Sequence, residues 1–102
     1  MSGQIPDWAD SVGPGWQPIL STLHEELLSI EPTYYVGQLK EKFGGLRVYL
    51  NGYEQGQVRE AIMVAERLSY ETCEECGAAG EARGPKERPH GWIRTVCDEH
   101  WT

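Results

Sequence analysis

The C-terminal third of this 102-residue chain contains two short pairs of metal-binding residues, Cys73-Glu74-Glu75-Cys76 and Cys97-Asp98-Glu99-His100. They include all three cysteines of the chain, and about twenty residues separate them. Pairs with this separation are typical of zinc sites, where three thiolates and one imidazole complete a tetrahedron. The sequence therefore predicts one structural Zn²⁺ ion per chain. Its expected ligands are Cys73, Cys76, Cys97 and His100.

The segment around these pairs cannot build its own hydrophobic core. From Thr72 onward Gly, Pro and charged residues dominate, and only 92–96 has the pattern of a strand. We expect 78–91 to form a hairpin-like excursion and His100 to lie on a short helical turn, in a treble-clef-like or ribbon-like module over residues 73–102. His90 lies in the excursion and could compete with His100 as a ligand, although it lacks the short spacing to Cys97.

Two other uses of the cysteines are disfavoured. A redox Cys-x-x-Cys pair requires a lowered thiol pKa, whereas Glu74 and Glu75 are expected to raise it. Zinc deaminases combine His-x-Glu with Pro-Cys-x-x-Cys, and 24–26 supplies only the first half, because Thr72 precedes the first cysteine. A site closed by four protein ligands stabilises structure and activates no water. We therefore expect no enzyme and no catalytic residues, with a zinc hydrolase or deaminase-like activity as the alternative.

Residues 17–72 have the pattern of a helix, a β-hairpin and a second helix. Pro18 suits a first helical turn, apolar residues then recur every three or four positions, and Pro32 ends the run. We expect strands over 34–42 and 46–50 with Gly44-Gly45 as the turn, followed by a helix over 55–70. The predicted fold class is α+β: a helix–hairpin–helix core with the zinc module packed on it as one folding unit.

Residues 1–16 are expected to form an irregular arm, anchored on the core by Trp8 and Trp16. The N-terminus has neither the basic nor the apolar stretch of a signal peptide, and no apolar run approaches twenty residues. These features predict a cytoplasmic protein that does not enter a membrane.

The chain is acidic, with a net charge of -7, but the predicted hairpin is basic. On the strand assignment one face carries Lys40, Lys42, Arg47 and Tyr49. This face is either an ordinary solvated surface or a small patch for anions or nucleic acid, with Tyr49 as a stacking surface. The overall charge argues against broad binding to a nucleic-acid backbone.

Four segments resemble a family of small zinc-site proteins encoded by tailed phages and prophages. They are Gly15-Trp16-Gln17-Pro18-Ile19-Leu20, the segment from Gln38 to Tyr49 that contains KEKFGGLR, the run from Cys73 to Gly80, and the ending from Trp92 to His100. The resemblance spans most of the chain. It implies a phage origin and a zinc site, in a family whose members are mostly uncharacterised.

Two functions follow as hypotheses. The first is an interaction protein of phage type that binds a host or phage protein and inhibits host machinery, including restriction or CRISPR effectors. Its acidic surface would compete for a basic channel on the target. The second is a nucleic-acid-binding accessory protein that uses the Lys40, Lys42 and Arg47 face of the hairpin.

Overall fold

The predicted α+β class is confirmed by a computed structural model, which describes residues 3–52 and 54–102. The helices are α1 (Ile5–Trp8), α2 (Gln17–Ile30) and α3 (Gly56–Ser69), and the strands are β1 (Val36–Lys42), β2 (Gly45–Leu50), β3 (Glu81–Arg83) and β4 (Arg94–Val96). Single 3₁₀ turns cover Ala9–Ser11, Pro14–Trp16 and Asp98–His100. No helix in the described ranges is long and apolar enough to cross a bilayer.

The two long helices pack on one face of the β1–β2 hairpin. Pro18 lies in the first turn of α2, as expected, and Leu20, Leu23 and Leu27 are buried. On α3 the buried side consists of Val58, Ala61, Ile62, Ala65 and Ser69. Their sheet-side partners include Val36, Leu39, Leu46 and Val48. This cluster is the core on which the C-terminal module rests.

The first strand departs from simple alternation. Val36 pairs with Leu50 and Gln38 with Tyr49, so one residue, Gly37, is extra on β1. Such a β-bulge shifts the face of every following side chain. Val36 and Leu39 can therefore both point into the core although they are three residues apart.

The hairpin turn lies one residue earlier than expected. Its two central residues are Phe43 and Gly44, both with positive φ (54° and 81°), while Gly45 pairs with Lys42 in the ladder. Two positive φ angles are the requirement of a type I′ turn, which matches the twist of the strands. Gly45 serves a different purpose, since a Cβ atom there would overlap the ring of Tyr70.

The backbone N–H groups on the outer edge of β2 donate to side-chain oxygens instead of to a third strand. The backbone N–H of Leu46 donates to Ser69 Oγ (2.9 Å), that of Val48 to Glu66 Oε2 (3.0 Å) and that of Leu50 to Glu54 Oε2 (2.8 Å). The α3 helix is thereby fixed along the strand edge.

The N-terminal arm is more ordered than expected. It contains α1 and two 3₁₀ turns, and the described part begins at Gly3, so residues 1 and 2 lie outside it. Ile5 is buried, and its N–H donates to the hydroxyl of Tyr34 (3.0 Å). Trp16 is fully buried as predicted, whereas Trp8 is only half-buried. Contacts with distant residues order this segment. These contacts cannot be predicted from its Gly and Pro content alone.

Candidate metal centre and surrounding surfaces

The four predicted ligands lie together at the end of the C-terminal module. Their ligand atoms are all within 4.8 Å of one another. Cys76 Sγ is 3.7 Å from Cys97 Sγ, and Nδ1 of His100 is 3.2 Å from Cys97 Sγ and 3.7 Å from Cys73 Sγ. This Cys₃His group can hold a metal ion. His90 lies on an exposed loop and is not part of the group.

Two local turns position the ligands. In the first, the N–H of Gly77 donates to the carbonyl of Cys73 (2.9 Å), with Gly77 at a positive φ of 82° that glycine adopts without strain. The β3–β4 hairpin then returns the chain to the first turn. Each of its strands has three paired residues, whereas a five-residue strand was expected over 92–96. The second turn is the 3₁₀ turn that carries His100, whose N–H donates to the carbonyl of Cys97 (3.1 Å).

Backbone hydrogen bonds set the protonation of the first thiol. Burial raises the pKa of Cys73, but the backbone N–H groups of Cys97, Cys76 and Glu75 outweigh it and lower the pKa to about 6. The pKa of Cys73 is thus lowered overall, although Glu74 and Glu75 were expected to raise it. Their carboxylates point to the Arg94 guanidinium instead, at 2.9 Å for Glu74 Oε1.

The other two shifts reflect crowding of the ligands. The backbone N–H of Ala78 lowers the pKa of Cys76, yet burial and the sulfurs of Cys73 and Cys97 outweigh it, so that this pKa is raised. Hydrogen bonding to Cys97 and then to Cys73 raises the pKa of His100. Electron-rich sulfurs packed this closely favour a bound cation, which neutralises part of their charge.

The metal module is joined to the core by several hydrogen bonds. Gly15 N donates to the carbonyl of Glu74 (2.7 Å), and Nε1 of Trp16 donates to the carbonyl of Thr72 (2.8 Å). On the other side Thr95 Oγ1 donates to the carbonyl of Gly44 at the hairpin tip (2.6 Å). A Cβ atom on Gly15 would overlap the carbonyl of Cys73, so glycine is required for this close approach.

A buried carboxyl pair lies at the same junction. The side chain of Glu41 on β1 meets that of Glu74, and burial together with Glu74 raises the pKa of Glu41 to about 8. Arg94 forms ion pairs with Glu74 and Glu75, and its charge offsets only part of the rise in the pKa of Glu41. Glu41 Oε2 and Glu74 Oε2 are both buried without a hydrogen-bond partner.

The four residues of the predicted binding face do share one face of the hairpin. Lys40 pairs directly with Arg47, while Tyr49 pairs with Gln38. Lys42 and Tyr49 are exposed, but Arg47 is half-buried and donates to the hydroxyl of Tyr70 (2.8 Å). One of the three cations is therefore held by an internal contact.

Two exposed features escaped the sequence reading. Val64 and Leu68 on α3 are 42% and 45% exposed beside Ile19 of α2. Trp92 is 70% exposed, and it was expected to lie within a strand. The exposure of Trp92 could have been inferred from the charged residues and turn formers that precede it, Arg83-Gly84-Pro85-Lys86-Glu87-Arg88, because such a run is typical of a surface loop.

Comparison with protein-family models, with curated proteins and with solved structures finds no match to this chain. The resemblance to phage zinc-site proteins thus stays a prediction.

Proposed function

We propose that the chain is a zinc-stabilised protein-binding module that performs no catalysis. Zn–S bonds of about 2.3 Å in a tetrahedron place sulfurs about 3.8 Å apart, close to the 3.7 Å between Cys76 Sγ and Cys97 Sγ. Three thiolates and one imidazole leave no open coordination position on the ion. The ion would therefore only stabilise the fold, by joining the two ligand pairs. The module would be treble-clef-like, with a single 3₁₀ turn in place of the terminal helix.

The observation that carries the proposal is an uncovered groove between α2 and α3. The first turn of α2 and the last turn of α3 line the same end of the groove, which shows that the two helices run in opposite directions. That end has a volume of about 250 Å³, and its apolar lining includes Ile19, Leu23, Val64, Ala65 and Leu68. Three of the seven large apolar residues exposed in the described ranges are on α3: Met63, Val64 and Leu68. Val64 and Leu68, one helical turn apart, line this end of the groove together with Ile19 of α2, and an apolar surface shared by two helices is a candidate site of protein contact.

The shape and charge of this helix groove indicate its occupant. It continues into a second section of about 460 Å³, where Glu26 of α2 faces Glu60 of α3. Among the described residues that line the two sections there is no Lys or Arg. Fourteen-residue helices give the groove a length of about 21 Å, enough for several turns of a third helix. We propose an amphipathic helix of a partner protein, with an apolar face and basic residues at its α2 C-terminal end.

The resemblance to phage proteins supports a bacterial host protein as the partner. In that setting the module would act in the cytoplasm by binding a basic helix of a host protein. It would inhibit that protein by blocking the surface to which it binds. The acidic net charge of -7 favours association with a basic target.

A comparison of variants tests the proposal. The tagged, metal-loaded chain is incubated with bacterial lysate beside Val64→Asp/Leu68→Asp, which places charge in the helix groove. Phe43→Asp is the matched control, because Phe43 is 64% exposed at the hairpin tip and lines neither section of the groove, and Asp tolerates a positive φ. We expect a protein captured by the wild type and the control to be lost with the double variant. Equal capture by all three, with helical content and metal retained, would exclude the groove as the binding surface.

A further inference from the structure

A second basic segment lies on the metal module, outside the helix groove. Residues 83–94 contain four of the nine Lys and Arg residues of the chain and one acid, Glu87. The segment has a net charge of +3, which leaves -10 for the rest. Its cations are Arg83, Lys86, Arg88 and Arg94.

Trp92 of this segment and Trp101 near the C-terminal end line one small cleft of about 90 Å³. Trp101 is fixed, because its Nε1 donates to the carbonyl of Gly84 (2.9 Å) and the Arg83 guanidinium lies 4.4 Å from its ring centroid. The Lys86 ammonium is 5.1 Å from the same ring. Trp92, on the other wall, is 70% exposed. One indole therefore supports the loop, and the other presents a free aromatic face.

The four cations are not equivalent. Arg83 pairs with Asp98 (3.0 Å) and Glu81 (3.6 Å), and Arg94 pairs with the glutamates that follow Cys73. Lys86 and Arg88 form no ion pair with any residue that the structure describes, and both are exposed. Two uncompensated cations thus lie on the same short loop as the exposed indole.

We propose that the loop 84–93 binds single-stranded nucleic acid, with an unpaired base stacked on Trp92 and backbone phosphates bound by Lys86 and Arg88. An exposed aromatic ring beside basic side chains is the arrangement that proteins use to bind single strands without sequence preference. A duplex offers no free base face to a single indole, so single strands are preferred. This activity is separate from the helix groove, and neither surface requires the other.

The charge balance predicts a weak and salt-sensitive complex. Two phosphate contacts give a slope of about -1.4 in a plot of log affinity against log salt concentration for single strands. The -10 carried by the rest of the chain opposes binding, whereas every Lys and Arg of residues 73–102 lies within 83–94.

Fluorescence anisotropy of a labelled short oligothymidylate or oligouridylate, titrated with the metal-loaded full chain at about 20 mM salt, tests the proposal. Trp92→Ala should weaken binding about tenfold or more, while Trp92→Phe retains most of it. Lys86→Ala/Arg88→Ala should bring the salt slope towards zero. Lys40→Ala/Lys42→Ala is the matched control, since it removes the same charge from the hairpin face and should leave the affinity close to that of the wild type.

Three results would overturn the proposal. The first is absence of binding to either oligonucleotide at low salt, and the second is equal affinity for a duplex of the same length. The third is binding that survives Trp92→Ala but is lost in the hairpin control, which would assign the contact to the hairpin face. If the oligonucleotides fail and Trp92→Ala instead removes a captured protein from the lysate experiment, the loop is a second protein-binding surface.

Discussion

The carboxyl group of Glu41 on the first hairpin lies against that of Glu74, the residue that follows Cys73. Burial, and then the adjacent Glu74 carboxyl, disfavour the charged form of Glu41 and raise its pKa to about 8. The contact joins the core to the metal module through a group that titrates near neutral pH.

The first prediction concerns pH. The folded pKa of Glu41 is raised above its ordinary value of 4.5, so folded protein holds a proton that unfolded chains release. The resulting stabilisation is complete below about pH 4.5 and is lost as pH rises to about 8. Relative to wild type, Glu41→Gln should gain stability as pH rises across this window. Urea unfolding of both metal-loaded proteins measures the difference, and Glu60→Gln on exposed α3 surface is the control. A difference independent of pH would contradict the proposed protonation.

The second prediction concerns the metal. Elemental analysis of protein purified without chelator should give one zinc per chain, and Cys97→Ser should bind none. Structural zinc contributes about 10–16 kcal/mol of apparent binding energy, so its removal should collapse the amide NMR signals of residues 73–102 to unfolded positions. Glu99→Gln, between the last two ligands and exposed, should leave both measurements unchanged. A zinc content near zero in wild type would refute the site.

The third prediction tests the contact between Gly45 and Tyr70. Gly45→Ala should destabilise the fold by about 1–3 kcal/mol, because the new methyl group overlaps the Tyr70 ring. The same substitution in a Tyr70→Ala background should cost much less, since the ring is gone. A double-mutant cycle in urea gives the coupling energy. Additive effects would show that steric overlap is not the cause.

The fourth prediction concerns the buried hydroxyl of Tyr34. It accepts from the N–H of Ile5 (3.0 Å) and is hydrogen-bonded to Nδ1 of His24 at 2.5 Å. Tyr34→Phe leaves both partners without this bond and should cost about 1–3 kcal/mol. Tyr35→Phe is the matched control, because Tyr35 is 41% exposed, and should change stability by less than about 0.5 kcal/mol. Similar losses for the two variants would argue against the role assigned to the hydroxyl.

The features predicted correctly depend on short-range spacing. The grouping of Cys73, Cys76, Cys97 and His100 follows from two pairs of residues three apart, and α2 follows from Pro18 and an apolar repeat. Each of these patterns depends only on residues a few positions apart, so it can be recognised without knowledge of the tertiary structure.

The features that were missed depend on distant partners. The sequence favoured Gly44-Gly45 as the turn, but Gly45 is glycine because Tyr70 packs over it. The bulge at Gly37 appears only when β1 is aligned with β2. The exposure of Leu68 and Trp92 likewise depends on which elements are absent beside them in the described structure.

The side-chain acceptors along β2 have a consequence for the behaviour of the protein in concentrated solution. A two-stranded sheet ordinarily offers its open edges to other chains, which is a route to aggregation. Here Ser69, Glu66 and Glu54 occupy every outward N–H of β2. An incoming strand would have to displace all three, so this edge resists intermolecular sheet growth without the lysines or prolines that proteins often place at such positions.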